Sequence, residues 1–171
     1  MKLIEELDYQ FDFDRLHQEC VKIYYDQCYI LANKFNGVSI QHRRDTPAPF
    51  NQVDGLLQSY LYENYTEKDF NVINKFFVDT EIEKIVDHFN LYRTRILLSE
   101  KKSCYTIHRD NTWRLHIPIE TNKNCMFFFP DYNKHFNLET SKIYKVNTKE
   151  RHTFLNCSDK KRLHFVGCLY D

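Results

Sequence analysis

Up to about residue 90 the apolar side chains recur mainly at three- and four-residue intervals, and beyond Asn90 they alternate with polar ones in short runs. The first spacing marks one face of a helix, the second a strand with one buried face. Between Asp14 and Asn33, Leu16, Cys20, Ile23, Tyr24, Gln27, Ile30 and Leu31 predict an amphipathic helix with Gly37 as its stop. Val38 to His42 reads as a short strand running into a loop, 43–50, where Pro47 and Pro49 end regular structure. Asp54 to Tyr65 is compatible with another short helix, and Phe70 to Phe77 has a mixed period that types neither way. Thr-Glu-Ile-Glu at 80–83 supplies a capping box, Thr80 as N-cap and Glu83 reaching back, and Ile82, Ile85, Val86 and Phe89 form the apolar face that follows.

After Asn90 come seven β-type runs in about eighty residues: 92–99, 103–108, 112–119, 125–129, 142–147, 152–157 and 162–170. That density predicts an antiparallel sandwich or barrel. In 112–119, Trp113, Leu115, Ile117 and Ile119 share one face, and Thr112, Arg114, His116 and Pro118 the other. In 162–170, Leu163, Phe165 and Leu169 oppose Arg162, His164 and Val166. Each strand therefore has a second face that is polar and specific. Aromatic residues make up 16% of the chain, which suits a β-rich core, and with only 3 Gly the turns fall to Asn and Asp in segments such as 121–124 and 130–133.

Length adds one constraint: 171 residues fit a single domain, with 1–90 as a helical region packed on a barrel and 91–171 as the β core. Charge excludes more than it suggests. Lys plus Arg and Asp plus Glu both number 24, well mixed, so neither a nucleic-acid nor a membrane surface is indicated. The first ten residues have no basic start or apolar core, and no apolar run approaches the roughly 18 residues of a membrane span, which points to a soluble cytoplasmic protein. The 6 Cys include no C-x-x-C pair, so they read as reduced, mostly buried thiols.

Candidate chemistry sits on the polar faces. His108 and Asp110 are two apart on one extended segment and point the same way, so both can close on one ion. His-x-Asp alone is common by chance. What raises it is the order that follows: Arg114-x-His116, then His152, then Arg162-x-His164 on a later strand. Two imidazoles and one carboxylate on one face of an octahedral ion leave three positions open, the arrangement suited to Fe(II) enzymes that activate oxygen. A closed zinc site would want a fourth ligand, and cysteine is missing from the cluster. A dicarboxylate keto acid can chelate such an ion while its far carboxylate pairs with a buried Arg, and Arg162 is placed for that fork.

The succession H-x-D, R-x-H-I-P, H-x-x-x-N and R-x-H-F-V resembles the Fe(II)- and 2-oxoglutarate-dependent oxygenases, and among them the aspartyl/asparaginyl β-hydroxylase-like group, over roughly Tyr92 to Leu169. The resemblance implies a double-stranded β-helix, a cupin-like jelly roll, mainly β with flanking N-terminal helices. It implies His108, Asp110 and His152 as iron ligands, Arg162 on the distal carboxylate of 2-oxoglutarate, and Arg114 and His116 near its other end. Some members carry glycine in place of the acidic ligand; this chain keeps Asp110. The polar residue that the group has on the strand before the motif corresponds to Ser99 or to Leu97, depending on register. Substrate contacts fall to Arg43, Arg44, Arg95, Asn156 and His164. For Arg43 and Arg44 a solvated loop is the competing reading, and for Asn156 and His164 a satisfied core polar group. The implied activity is hydroxylation by O2 of an amino acid, free or within a peptide or protein. The competing class is a non-catalytic jelly-roll metal-binding or scaffold protein.

Overall fold

The computed structural model describes residues 2–30, 37–44 and 65–170. Within them the elements in chain order are β1 (Ile4–Leu7), α1 (Phe13–Ile30), β2 (Gly37–Ser39), β3 (Gln41–His42), β4 (Val72–Ile73), α2 (Glu81–His88), β5 (Tyr92–Ser99), β6 (Ser103–Cys104) and β7 (Arg114–Glu120). They continue as β8 (Cys125–Phe129), β9 (Lys134–Phe136), β10 (Ile143–Val146), β11 (Thr153–Asn156) and β12 (Arg162–Cys168). Six strands form one sheet in the order β1-β10-β7-β12-β5-β2, four form a second in the order β6-β11-β8-β9, and β3 pairs with β4. Every pairing is antiparallel. The two larger sheets face each other, with His116 on β7 meeting Phe127 on β8 and Arg162 on β12 meeting Phe154 on β11. This is the antiparallel sandwich that the alternating runs predict, in the jelly-roll form that the resemblance implies.

Strand alternation sorts the larger sheet into two environments. Leu115, Ile117, Ile119, Leu163 and Phe165 turn outward into a core closed by Leu16, Cys20 and Tyr24 of α1 and Ile82, Ile85 and Val86 of α2. Phe165 is wholly buried there, which contributes about 2–3 kcal/mol. The intervening residues turn inward, between the sheets. A second cluster between the sheets, including Phe127, Phe129, Tyr144, Val146 and Phe154, fills part of that space and leaves the rest as a cavity.

The helices are tied by charge as well as by packing. The Asp12 side chain accepts from Arg15 N–H at the start of α1, and Glu19 reaches across to accept from the Glu81 and Ile82 N–H groups that open α2. Thr80 caps α2 as expected, accepting from Glu83 N–H. Glu83 reaches one residue further back than the capping box predicts, to Asp79 N–H at 2.6 Å, because Asp79 adopts φ 60° and turns its amide toward the helix.

Other expectations shift. Gly37, expected as a helix stop, is the first residue of β2, opposite Leu97; the stretch 31–36 before it lies outside the described residues. The run 103–108 forms a regular strand only at Ser103–Cys104, after which the chain stays extended beside β11. Strands β1 and β9 have no strong alternation and were not expected; β1 completes the sheet edge by pairing Ile4–Leu7 with β10. The helix expected over 54–65 lies outside the described residues except for Tyr65, as do 31–33 of the first helix. Among the cysteines whose side chains are described, Cys20, Cys125 and Cys168 are buried and Cys104 and Cys157 exposed.

Candidate metal centre and its cavity

Just before β11, the chain brings His152 against His108. The two residues form an isolated antiparallel bridge, His108 N–H to His152 O at 3.0 Å and His152 N–H to His108 O at 2.9 Å, and their rings lie 4.4 Å apart. Asp110 N–H donates to Thr148 O, which fixes the carboxylate beside the pair. One ligand atom from each of His108, Asp110 and His152 lies within 4.8 Å of the others. Each imidazole is also oriented from behind. His108 Nδ1 is 2.7 Å from Thr106 O and His152 Nδ1 is 2.9 Å from Glu150 O. A carbonyl can only accept, so both Nδ1 atoms carry the proton and both Nε2 atoms present a lone pair to the shared space. Burial lowers the His152 pKa and keeps that ring neutral. The donor set fits one divalent ion, with the opposite side facing the cavity.

Asp110 is held by charge. Burial is the largest single influence and raises its pKa, but Arg114, His152, His108 and Arg95 together outweigh it and lower the pKa, which favours the ionised carboxyl. Arg114 Nη2 lies 3.1 Å from Asp110 Oδ1 and 2.7 Å from Glu67 Oε1. Glu67 in turn pairs with Arg93. Burial opposes the charge on Arg114, yet the surrounding negative groups raise its pKa; the Cys168 thiol beside it is pushed up by burial and stays protonated, so the two carboxylates carry the effect.

A cavity of about 620 Å³ opens from these ligands between the sheets. Its inner wall is built from alternate residues of the large sheet: Arg93, Arg95, Leu97 and Ser99 on β5, Arg114 and His116 on β7, and Arg162, His164 and Val166 on β12. Phe127 and Phe154 face them from the small sheet. Both Ser99 and Leu97 thus line the cavity, and Ser99 is the one in register with Arg162.

Arg162 is 4% exposed, with its guanidinium carbon 4.1 Å from the Phe154 ring centre and Nε 3.3 Å from Thr121 Oγ1. Among the described residues no carboxylate pairs with it. Burial lowers its pKa to about 9, so at neutral pH the cavity holds a charged guanidinium without a counter-ion. His116 and His164 join through Nδ1 and Nε2 at 2.6 Å, and burial together with Arg162 holds both pKa values well below 6.5, so the pair is neutral and shares one proton.

The structure gathers most of the residues that the sequence singles out. His108, Asp110, His152, Arg114, His116, Arg162, His164 and Arg95 all line one cavity. Arg114 is already engaged by Asp110 and Glu67. Three residues stand elsewhere. The Arg43 guanidinium carbon sits 3.8 Å from the Tyr65 ring centre and Arg44 is exposed; neither lines the cavity. Asn156 is a core polar group. Its amide donates to Glu100 O at 3.0 Å and Lys160 O at 2.9 Å, and its oxygen accepts from Ser158 N–H and Oγ–H. Glu67 had no local signal, since its partner Arg114 is 47 residues away.

No family model matches the chain, and no curated protein does. Solved structures do resemble it. The viral collagen prolyl hydroxylase of Paramecium Bursaria Chlorella virus-1, solved as its 2OG complex, superimposes with a TM-score of 0.50 at 12% identity over 98% of this chain and 95% of that one. A Pseudomonas putida prolyl-4-hydroxylase gives 0.46 at 13% identity over 98% and 86%. A Burkholderia pseudomallei oxidoreductase of the 2OG-Fe(II) oxygenase family gives 0.45 at 11% over 96% and 94%. At such identities the likeness is one of fold.

Proposed function

We propose that this chain is an Fe(II)- and 2-oxoglutarate-dependent oxygenase of the aspartyl/asparaginyl β-hydroxylase-like group. It hydroxylates a C–H bond of an amino acid, free or within a peptide or protein. One observation carries the reading: a buried guanidinium with no carboxylate partner among the described residues, Arg162, shares a cavity with an oriented His–Asp–His group. A protein has no reason to leave such a charge uncompensated unless a ligand completes it.

In this reading His108 Nε2, His152 Nε2 and Asp110 hold the metal. Fe(II) with 2-oxoglutarate supplies oxidation of a substrate C–H bond by O2, coupled to conversion of the keto acid to succinate and carbon dioxide. The remaining steps belong to the protein. Arg162 takes the distal carboxylate of the keto acid in a two-pronged pair, and its stacking on Phe154 sets the plane of that fork. Phe127 and Phe154 keep water off the cavity wall. The His116–His164 pair stays neutral next to Arg162, so it adds no second positive charge to the keto-acid site. Arg95, on the same wall two residues from Leu97, is the residue of this wall assigned to the substrate.

The test is an anaerobic titration of 2-oxoglutarate into the Fe(II)-loaded protein, followed by single-turnover exposure to O2. The visible charge-transfer band of a chelated keto acid and the release of succinate are the expected results. No binding by calorimetry and no band would leave a non-catalytic jelly-roll scaffold as the better description.

A further inference from the structure

Resting on the metal reading above, we infer that Glu67 is a positioning residue for the metal centre: through Arg114 it keeps Asp110 Oδ1 turned away from the ion, so that Oδ2 is the single coordinating oxygen. Four buried or half-buried groups alternate in sign along one wall of the cavity, Arg93, Glu67, Arg114 and Asp110. The same Nη2 atom of Arg114 reaches Glu67 Oε1 at 2.7 Å and Asp110 Oδ1 at 3.1 Å. The other oxygen, Oδ2, is the one that faces His152 Nε2, at 3.9 Å. Asp110 thus offers one oxygen to Arg114 and the other to the space that the two imidazoles share.

Glu67 decides how Arg114 divides its attention. The Arg114 side chain is 4% exposed, so water cannot stand in for a lost partner. A guanidinium beside one carboxylate prefers the planar two-pronged fork, which engages both oxygens. With Glu67 on one side, Arg114 meets Asp110 through a single atom and a single oxygen. Without the Glu67 charge, Asp110 becomes the main counter-charge, the fork closes over Oδ2, and Arg114 competes with the ion for its carboxylate. Glu67 belongs to the short 3-10 turn Glu67–Asp69, in the part of the chain that carries no recognisable motif, so the inference also gives that region a function. Outer partners of metal ligands typically change metal affinity by about 10–100-fold.

The test is a Co(II) titration of the full chain, read by calorimetry and by the visible ligand-field bands of the bound ion, with thermal unfolding in parallel. Glu67→Gln is expected to bind Co(II) about 10–100-fold more weakly, with altered bands. In an Arg114→Gln background the same substitution should add nothing, because no guanidinium remains to redirect. Two buried arginines lose a shared counter-charge in Glu67→Gln, so the double variant Glu67→Gln/Arg93→Gln, which keeps the local charge balanced, is the second probe and should show the same loss. Arg93→Gln alone leaves Glu67 on Arg114 and should bind Co(II) as the parent protein does. Unchanged Co(II) affinity in the Glu67 variants overturns the inference. Equal losses with and without Arg114 also overturn it, since Glu67 would then act on the structure generally. A parent protein that binds no Co(II) would instead remove the metal reading, and this inference with it.

Discussion

The Arg162 guanidinium lies 4.1 Å from the centre of the Phe154 ring, a cation carried by one sheet and stacked on an aromatic carried by the other. The stack steadies the side chain where Arg162 lines the cavity. Replacing Arg162 by Lys keeps the charge but loses both the stack and the fork. Loss of a charge-assisted contact of this kind, about 1.5–3 kcal/mol, should weaken 2-oxoglutarate binding by roughly 10- to 100-fold. Metal affinity should barely change. Separate calorimetric titrations of metal and keto acid check both halves, and undiminished keto-acid affinity would shift the role to another cation such as Arg95.

Alanine at His108 or His152 should abolish measurable Fe(II)-dependent turnover of 2-oxoglutarate while leaving the far-ultraviolet spectrum unchanged. The bridge between these residues is made by backbone groups, which alanine keeps. Either variant turning over at the parent rate would dismiss the triad.

Asn156 sits among carbonyls and hydroxyls, away from the cavity. Asn156→Ala leaves the Ser158 N–H and two carbonyl oxygens without their partner and should cost about 2–4 kcal/mol in urea unfolding. Its effect on keto-acid affinity should be negligible. A variant of normal stability with a raised KM would return Asn156 to the substrate list.

Gly167 lies where β12 approaches the start of β5. A Cβ there would stand 2.9 Å from both Leu91 Cδ1 and Thr94 Oγ1. Gly167→Ala should therefore destabilise the protein by about 1–3 kcal/mol through overpacking. Equal or higher stability in chemical denaturation would show that Leu91 yields without cost.

Acid should weaken the fold before any carboxylate titrates. His116 and His164 have folded pKa values well below 6.5, so below that pH the unfolded chain binds protons that the folded chain refuses. Their neutral pairing contributes fully above pH 6.5 and is lost as pH falls below it, by up to about 1.4 kcal/mol per group per pH unit. Urea midpoints measured from pH 8 to pH 5 should be level at first and then fall below about pH 6.5. A midpoint that holds or rises on acidification over that range contradicts the neutral pair.

What the sequence determined by itself was local or periodic. Alternation in 112–119 and 162–170 sorted Leu115, Ile117, Leu163 and Phe165 to one side and Arg114, His116, Arg162 and His164 to the other, because a strand's two faces follow from its backbone alone. The two-residue spacing of His108 and Asp110 predicted that their ligand atoms share one space, and the structure brings them together with that of His152. Only the tertiary structure decided which distant groups share an environment. Asn156 and His152 stand close in sequence, yet one is bonded into a turn by Glu100 and Lys160 and the other opens on the cavity. Arg114 looks like a cofactor ligand until Glu67, 47 residues earlier, engages it. Neither fact has a local signature, since a salt bridge between remote segments depends on how sheets and turns close over one another, and one-residue patterns are blind to that closure. The backbone carbonyls of Thr106 and Glu150, which set the tautomers of His108 and His152, belong to every sequence and so announce nothing until the chain folds.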